Sequence, residues 1–149
     1  MEKISTVIVG GGASGIAAAI SAKRAGDAPL ICERLSQLGK KILASGNGRC
    51  NLSNDDLSEK HYGKNAQKLV QAIFSKFGGN DIVKFFKDLG LITHSKDGRV
   101  FPATNQAASV LKVLTMELER LSVPVKLDFE VTDVDISGSG ITVRSKKGD

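Results

Sequence analysis

The chain is short of the residues on which most protein-borne chemistry is built. It has two histidines and two cysteines, and Cys32 and Cys50 stand in neither a CxxC pair nor a zinc-ligand spacing. Cys32 lies inside an apolar run and reads as an inert core thiol, and a disulfide between the two is not expected in a reducing compartment. No stretch approaches the roughly 20 consecutive apolar residues of a membrane span. The opening MEKISTVIVGGG runs straight into an apolar segment, with no basic leader and no small-residue cleavage site. A cytoplasmic protein without a membrane partner is the expectation. No Ser–His–Asp order, paired carboxylates at helical spacing or metal-ligating cluster stands out. His61, before a helix, and His94, in a hairpin, read as surface residues. The net charge of +5 is spread along the chain, so nucleic acid is not the expected partner.

The 149 residues, 41% of them hydrophobic, suit one globular domain burying roughly 68–70% of its unfolded surface. Residues 4–9 form a short β-branched run fit for a strand buried on both faces of a parallel sheet. Gly10-Gly11-Gly12 breaks it. From 13 to 25, small and apolar residues recur at helical spacing, and Gly26 offers a stop. Pro29-Leu30-Ile31-Cys32 reads as a second buried strand ending at Glu33. Strand, glycine turn, helix and strand together make a βαβ unit.

Beyond it, residues 35–54 (LSQLGKKILASGNGRCNLSN) show no clean period and read as a loop of unusual length, which makes it a functional candidate. Residues 65–77 and 81–89 are amphipathic helices, the second capped by Asn80 and closed by Gly90. Residues 92–101 read as a hairpin around Asp97-Gly98. A helix over 106–121 carries Val110, Leu111, Leu114 and Leu118 on one face and ends through Pro124. Strands are expected at 125–127, 130–136 and 141–144, the last two joined through Gly138-Ser139-Gly140. The turn-like ending Lys147-Gly148-Asp149 stops short of the further parallel strands a dinucleotide-binding sheet needs. The chain therefore reads as the front piece of a longer protein, or else as a fold that closes in an unusual way.

Gly10-x-Gly12-x-x-Gly15 follows a strand and opens a helix, the context its fingerprint requires. Gly10 permits the tight turn, Gly12 lets backbone approach a pyrophosphate, and Gly15 allows helix and strand to pack closely. The helix from Ala13 presents free N–H groups and partial positive charge to phosphate. Glu33, 23 positions after Gly10, is placed to accept hydrogen bonds from a ribose, and its charge disfavours a ribose 2′-phosphate. FAD and NAD share this fingerprint. Lys40, Lys41 and Arg49 supply positive charge for phosphates. Asn47 and Asn51 can donate to flavin carbonyls or cap turns, with the turn reading favoured for Asn47. Cys50 beside Arg49 is open to two readings, an inert thiol or a redox-active one.

The segment GKKILASGNGRCNLSN, residues 39–54, resembles the signature of the BaiN-like (YhiN-type) FAD-dependent oxidoreductases, within the glutathione-reductase-like flavoproteins. GRVFPATNQAASVLKVL, residues 98–114, is similar to a second segment of that family. The resemblance implies FAD as cofactor. It assigns the pyrophosphate to Gly10, Gly12, Ala13, Ser14 and Gly15, and the adenosine ribose to Glu33. It sets Arg34 and Lys41 near the adenosine and phosphates, and Ser45, Gly46, Arg49, Cys50 and Asn51 on the loop nearing the flavin. The backbone at Val131 would face the adenine edge.

Members of that family are longer, so residues 1–149 correspond to the N-terminal part of an FAD-binding domain, without its later strands or the substrate domain. The expected fold is α/β, a Rossmann-like βαβ unit with a parallel sheet, helices and a small antiparallel element. The resemblance implies a reductase passing hydride through FAD to an organic small-molecule substrate, unsaturated or carbonyl, with NAD(P)H a candidate reductant. Two other readings stand beside it. One is an NAD-dependent dehydrogenase. The other is a catalytically silent module that self-associates through an exposed sheet edge.

Overall fold

The computed structural model describes residues 4–137 and 140–146. Gly138 and Ser139 of the expected turn, and the Lys147-Gly148-Asp149 ending, lie outside the described residues. The chain divides into two compact units, one of Met1–Ile42 with Leu114–Asp149 and one of Leu43–Val113.

The first unit begins with strand β1 (Thr6–Val9), helix α1 (Ala13–Arg24) and strand β2 (Pro29–Cys32). β1 and β2 pair in parallel with Thr6 opposite Pro29 and Val9 opposite Cys32. A short strand β6 (Val125–Lys126) joins β2 in parallel on its other side, giving the order β1-β2-β6. β-Branched residues suit such pleated, half-buried strands, and α1 covers the sheet with Ile16, Ala19 and Ile20 completely buried. α1 stops as Gly26 expects. Gly26 takes φ +89°, its N–H donates to the Lys23 carbonyl, and the Asp27 N–H reaches back to Ala22. That pair of bonds is the Schellman closure, which favours glycine. Antiparallel strands β7 (Val131–Ser137) and β8 (Gly140–Ser145) complete this unit.

The second unit contains the segment from 43 onward that reads in sequence as loop. It is folded instead. Helix α2 (Lys40–Ala44), which begins in the first unit, runs into a 3-10 turn at Ser45–Gly48, and strand β3 (Ser53–Asn54) pairs with β5 (Arg99–Pro102). Helices α3 (Gln67–Phe74) and α4 (Gly79–Asp88) follow. Strands β4 (Thr93–Lys96) and β5 (Arg99–Pro102) complete the antiparallel order β3-β5-β4. The β4–β5 turn places Asp97 at φ 52° and Gly98 at φ 74°, the two left-handed residues a two-residue hairpin turn requires. Asn80 is not the cap of α4. The helix starts two residues earlier, with the Asp81 carboxylate accepting the Gly78 N–H at 2.7 Å, so the acidic residue inside the first turn does the capping. Gly90 closes α4 at φ +84° as expected.

Helix α5 (Ala107–Arg120) buries Val110, Leu114 and Leu118. Its end is not set by Pro124. Ser122 adopts φ 53°, and the Ser122 and Val123 N–H groups close on Glu119 and Leu118, so the helix has stopped before the proline. Pro124 contributes its carbonyl to Ile31 instead.

Glu117 of α5 is buried at 7% exposure between Arg24 of α1, at 2.8 Å, and Arg120, at 2.7 Å. The hydrogen bond from Arg120, then that from Arg24, outweighs burial and lowers its pKa to about 2. A carboxyl whose folded value lies below its unfolded one adds stability that is complete above about 4.5 and lost as pH falls toward 2. Glu117→Gln removes the carboxylate that both arginines share and should lower unfolding free energy by about 1.5–3 kcal/mol at pH 7. Urea unfolding at pH 7 and pH 3 checks both statements: the gap between wild type and variant should narrow at pH 3.

Candidate functional site

The three fingerprint glycines meet three different demands. Gly10 takes φ +103°, and its N–H donates to the Cys32 carbonyl at 2.8 Å, so the turn leaves β1 while still tied to β2. A Cβ on Gly15 would lie 1.9 Å from the Gly10 carbonyl oxygen, so α1 can sit this close to β1 only with hydrogen at that position. Gly12 is different. Its φ of −84° and ψ of −172° are open to any residue, and a Cβ built there meets nothing within 4 Å. The protein's own packing does not demand glycine at 12. A group approaching the backbone from outside would.

Gly12 is also the N-cap of α1, and no side chain caps the first turn there. Ala13 and Ser14 are exposed, and the first turn holds no acidic residue. Backbone donors and the positive end of the helix therefore face outward where an anion is expected.

Glu33 stands beside this turn because the parallel register brings the end of β2 level with the end of β1. Its side chain is buried at 8% exposure. One carboxylate oxygen accepts the Gly11 N–H at 2.6 Å and the other accepts the Leu35 N–H at 2.9 Å. Gly11 was not among the residues singled out in sequence, yet its constraint is severe. A Cβ there would come within 2.2 Å of Leu38 Cδ2 and 3.3 Å of Glu33 Cβ, and its carbonyl accepts the Gly39 N–H at 2.8 Å. The signal in the sequence is the unbroken Gly10-Gly11-Gly12 run, one glycine more than the fingerprint needs.

The segment after β6 closes on the same place. The Phe129 N–H donates to the Glu33 carbonyl and the Asp128 N–H to Leu35, with Lys126 Nζ 4.5 Å from the centre of the Phe129 ring. Val131 begins β7 two residues on and is half-buried. Exposed Arg34 lies near Glu130, whose carboxyl Lys146 first, and Arg34 more weakly, holds below its ordinary value. Lys40 and Lys41 are exposed on α2. Burial pushes the Cys32 thiol up, in keeping with an inert core residue.

The second unit joins the two segments that carry the family resemblance. Residues 45–50 fold into a tight turn, with the Arg49 N–H on the Gly46 carbonyl and the Cys50 N–H on Ser45. Gly46 and Asn47 both take φ 55°, so Asn47 occupies a turn position. A Cβ on Gly46 would press on the Asn51 nitrogen at 2.7 Å. Asn51, with its amide oriented to donate, holds the Ser53 and Val100 carbonyls at 2.8 and 3.2 Å, which ties the turn to β5. The Arg49 guanidinium lies over the Phe101 ring at 4.7 Å. Cys50 is 6% exposed and adopts φ 60°; both cysteines are free thiols. His61 is on the surface as expected, 2.8 Å from Asp56. His94 is not. It is half-buried against Phe101, with a buried Nδ1 that has no partner among the described residues, because its strand turns it toward the same sheet face as Phe101. Among the described residues no group of three or more potential metal ligands exists, and no helix is long and apolar enough to cross a membrane.

A glycine turn at the head of a parallel βαβ unit, with an acidic strand end beside it, defines a Rossmann-type nucleotide site. Residues 4–149 match the family model described as the HI0933-like protein Rossmann domain, and the chain belongs to that family. The α/β class and the FAD-dependent oxidoreductase family expected from the sequence are both borne out. A 3-dehydro-bile acid delta(4,6)-reductase of Clostridium scindens is 43% identical over 140 residues, covering 93% of this chain and 34% of the relative. A ribosomal RNA dihydrouridine synthase of Escherichia coli is 28% identical over 144 residues, 96% of this chain and 36% of the relative. The chain thus spans about a third of the length of these relatives. A 3-ketosteroid-delta4-(5alpha)-dehydrogenase from Rhodococcus jostii shares the fold, with a TM-score of 0.68 at 17% identity, covering 98% of this chain and 44% of that one.

The contrast between Gly12 and Gly15 gives a direct test. Gly15→Ala should lower the thermal midpoint sharply, since its Cβ has to displace backbone. Gly12→Val should leave a cooperative melt nearly in place, within about 1–2 kcal/mol for an N-cap change, while nucleotide binding is lost. A Gly12→Val chain that holds FAD as the wild type does would put the phosphate elsewhere.

Proposed function

We propose that this chain is the FAD-holding Rossmann portion of a flavin-dependent reductase. The observation that carries the reading is Gly12, a glycine that neither backbone conformation nor packing requires, at the uncapped head of a helix. Clearance for a pyrophosphate explains it. In this reading the N–H groups of the turn from Gly10 to Gly15 hold the phosphates, including those of Ala13 and Ser14. Glu33 accepts from the adenosine ribose with the lone pairs its two backbone donors leave free. Arg34 and Lys41 offset phosphate charge. The Val131 backbone meets the adenine edge, and Ser45, Gly46, Arg49, Cys50 and Asn51 belong to the flavin-facing loop. FAD, when bound, supplies the hydride-accepting and hydride-donating ring; the chain binds it and orients it.

The whole protein's reaction is proposed in the same terms: reduction of an unsaturated or carbonyl small molecule in the cytoplasm, with NAD(P)H as reductant. The 43% identity to a reductase named for a 3-dehydro bile acid favours a small molecule over nucleic acid. The remaining strands of the FAD domain and the substrate-contacting domain are assigned to polypeptide other than these 149 residues. A second reading rests on β1. In the order β1-β2-β6 its outer edge has no partner strand among the described residues, and Val9 is 60% exposed. Such an edge can pair with another chain, and sedimentation over a range of concentrations would reveal self-association as a rising mass.

The first test is the visible absorption of the purified chain, followed by titration with FAD and with NAD. A flavin spectrum, or saturable binding of FAD in preference to NAD, is expected. Tighter binding of NAD would replace the flavin reading with a dehydrogenase one. Glu33→Ala should weaken FAD by roughly 1–3 kcal/mol, the scale of a lost charged hydrogen bond, and unchanged affinity would leave Glu33 without a ligand role.

A further inference from the structure

We infer that Glu33 positions the phosphate turn as well as facing the ribose, and that it acts on the turn through Gly11, a glycine outside the Gly-x-Gly-x-x-Gly fingerprint. The inference rests on the nucleotide reading above and adds to it a residue pair and a coupling between two parts of the ligand.

Gly11 is held through both of the peptides it joins. Its N–H donates to the buried Glu33 carboxylate at 2.6 Å, and its carbonyl accepts from Gly39 at 2.8 Å. Leu38 fills the space where a Gly11 side chain would go. The next residue, Gly12, caps α1, and its carbonyl takes the first helical bond from Ile16 at 2.9 Å. Glu33 thus holds the Gly10–Gly11 peptide and Gly39 the Gly11–Gly12 peptide, and these two consecutive units set where the first-turn N–H groups of α1 point. A carboxylate has about four acceptor positions. Gly11 and Leu35 occupy two of them, and the other two are free for ribose hydroxyls. One charged group therefore holds the phosphate turn and faces the sugar at once. A neutral amide cannot do both, because only its oxygen accepts. Glu33→Gln sets an NH2 group against either Gly11 or Leu35.

The experiment compares ADP with 2′,3′-dideoxyADP, which keeps both phosphates and lacks the ribose hydroxyls, on the 149-residue chain and its Glu33→Gln variant. Calorimetric titration should show the variant binding dideoxyADP about tenfold more weakly than the wild type does, the effect of one lost charged hydrogen bond. The Gly11 amide proton, deshielded by a charged acceptor, should move upfield in the variant's NMR spectrum, a signature that general destabilisation does not produce. A variant that loses affinity for ADP and none for dideoxyADP would confine Glu33 to the ribose and overturn the inference. Failure of the wild-type chain to bind ADP is a separate result, seen before any variant is made, and it overturns the nucleotide reading together with what is built on it. Should Glu33→Gln lose its cooperative melt, Gly11→Ala and Gly11→Ala/Leu38→Ala take its place. The single change should weaken dideoxyADP and the double change restore part of it, whereas equal binding by wild type, single and double variants would overturn the inference.

Discussion

The bond between the Glu33 carboxylate and the Gly11 N–H is the constraint on which the rest of the nucleotide site depends. It exists because β1 and β2 run in parallel with Val9 opposite Cys32, so the residues that follow each strand emerge side by side. A one-residue slip of that register would turn Glu33 to the opposite face of the sheet. The bond is short, charge-assisted and buried, so it is among the stronger hydrogen bonds a protein makes. It also answers why a carboxylate is tolerated at 8% exposure: both oxygens hold backbone donors, which offsets part of the cost of burying it.

The turn divides its demands cleanly. Gly10 answers to conformation, Gly15 to packing against the Gly10 carbonyl, and Gly11 to the space Leu38 fills. Only Gly12 answers to none of them. Within this turn, then, Gly12 alone has neither a conformational nor a steric reason of its own.

The parts of the fold legible in the sequence were those fixed locally. The βαβ unit, the stops at Gly26 and Gly90 and the turn at Asp97-Gly98 follow from residues that permit one backbone geometry and few others. The parts that were not legible depend on distant partners. Residues 35–54 carry no period because α2, the 3-10 turn and β3 are each too short to show one, and β3 is a strand only through its pairing with β5. α4 begins at Gly79 because the Asp81 carboxylate reaches back to Gly78, and Asn80 looks the better cap until that reach is seen. α5 ends at a left-handed serine, a conformation no propensity would assign to Ser122. His94 looked like a hairpin surface residue because alternation gives a strand two faces without saying which is covered. Gly11 stands outside the fingerprint for a related reason: what constrains it is Glu33 and Leu38, partners distant in sequence.

The 45–51 turn makes the opposite case, in which a family signature is explained without any ligand. Gly46 has to be glycine because Asn51 crowds it, Asn47 sits in a left-handed position that asparagine tolerates, and the Asn51 amide is engaged with backbone carbonyls of 53 and 100. These three residues are accounted for by holding the turn against β5. Cys50 is not. Cys50 holds a left-handed backbone that costs a non-glycine residue about 1–3 kcal/mol, where Asn or Gly would do so at less cost. Arg49 spreads a cation over Phe101 and its Nε donates to the Gly46 carbonyl at 3.4 Å, so it too holds the turn. Among these five residues Cys50 alone holds a left-handed backbone that its own side chain does not explain.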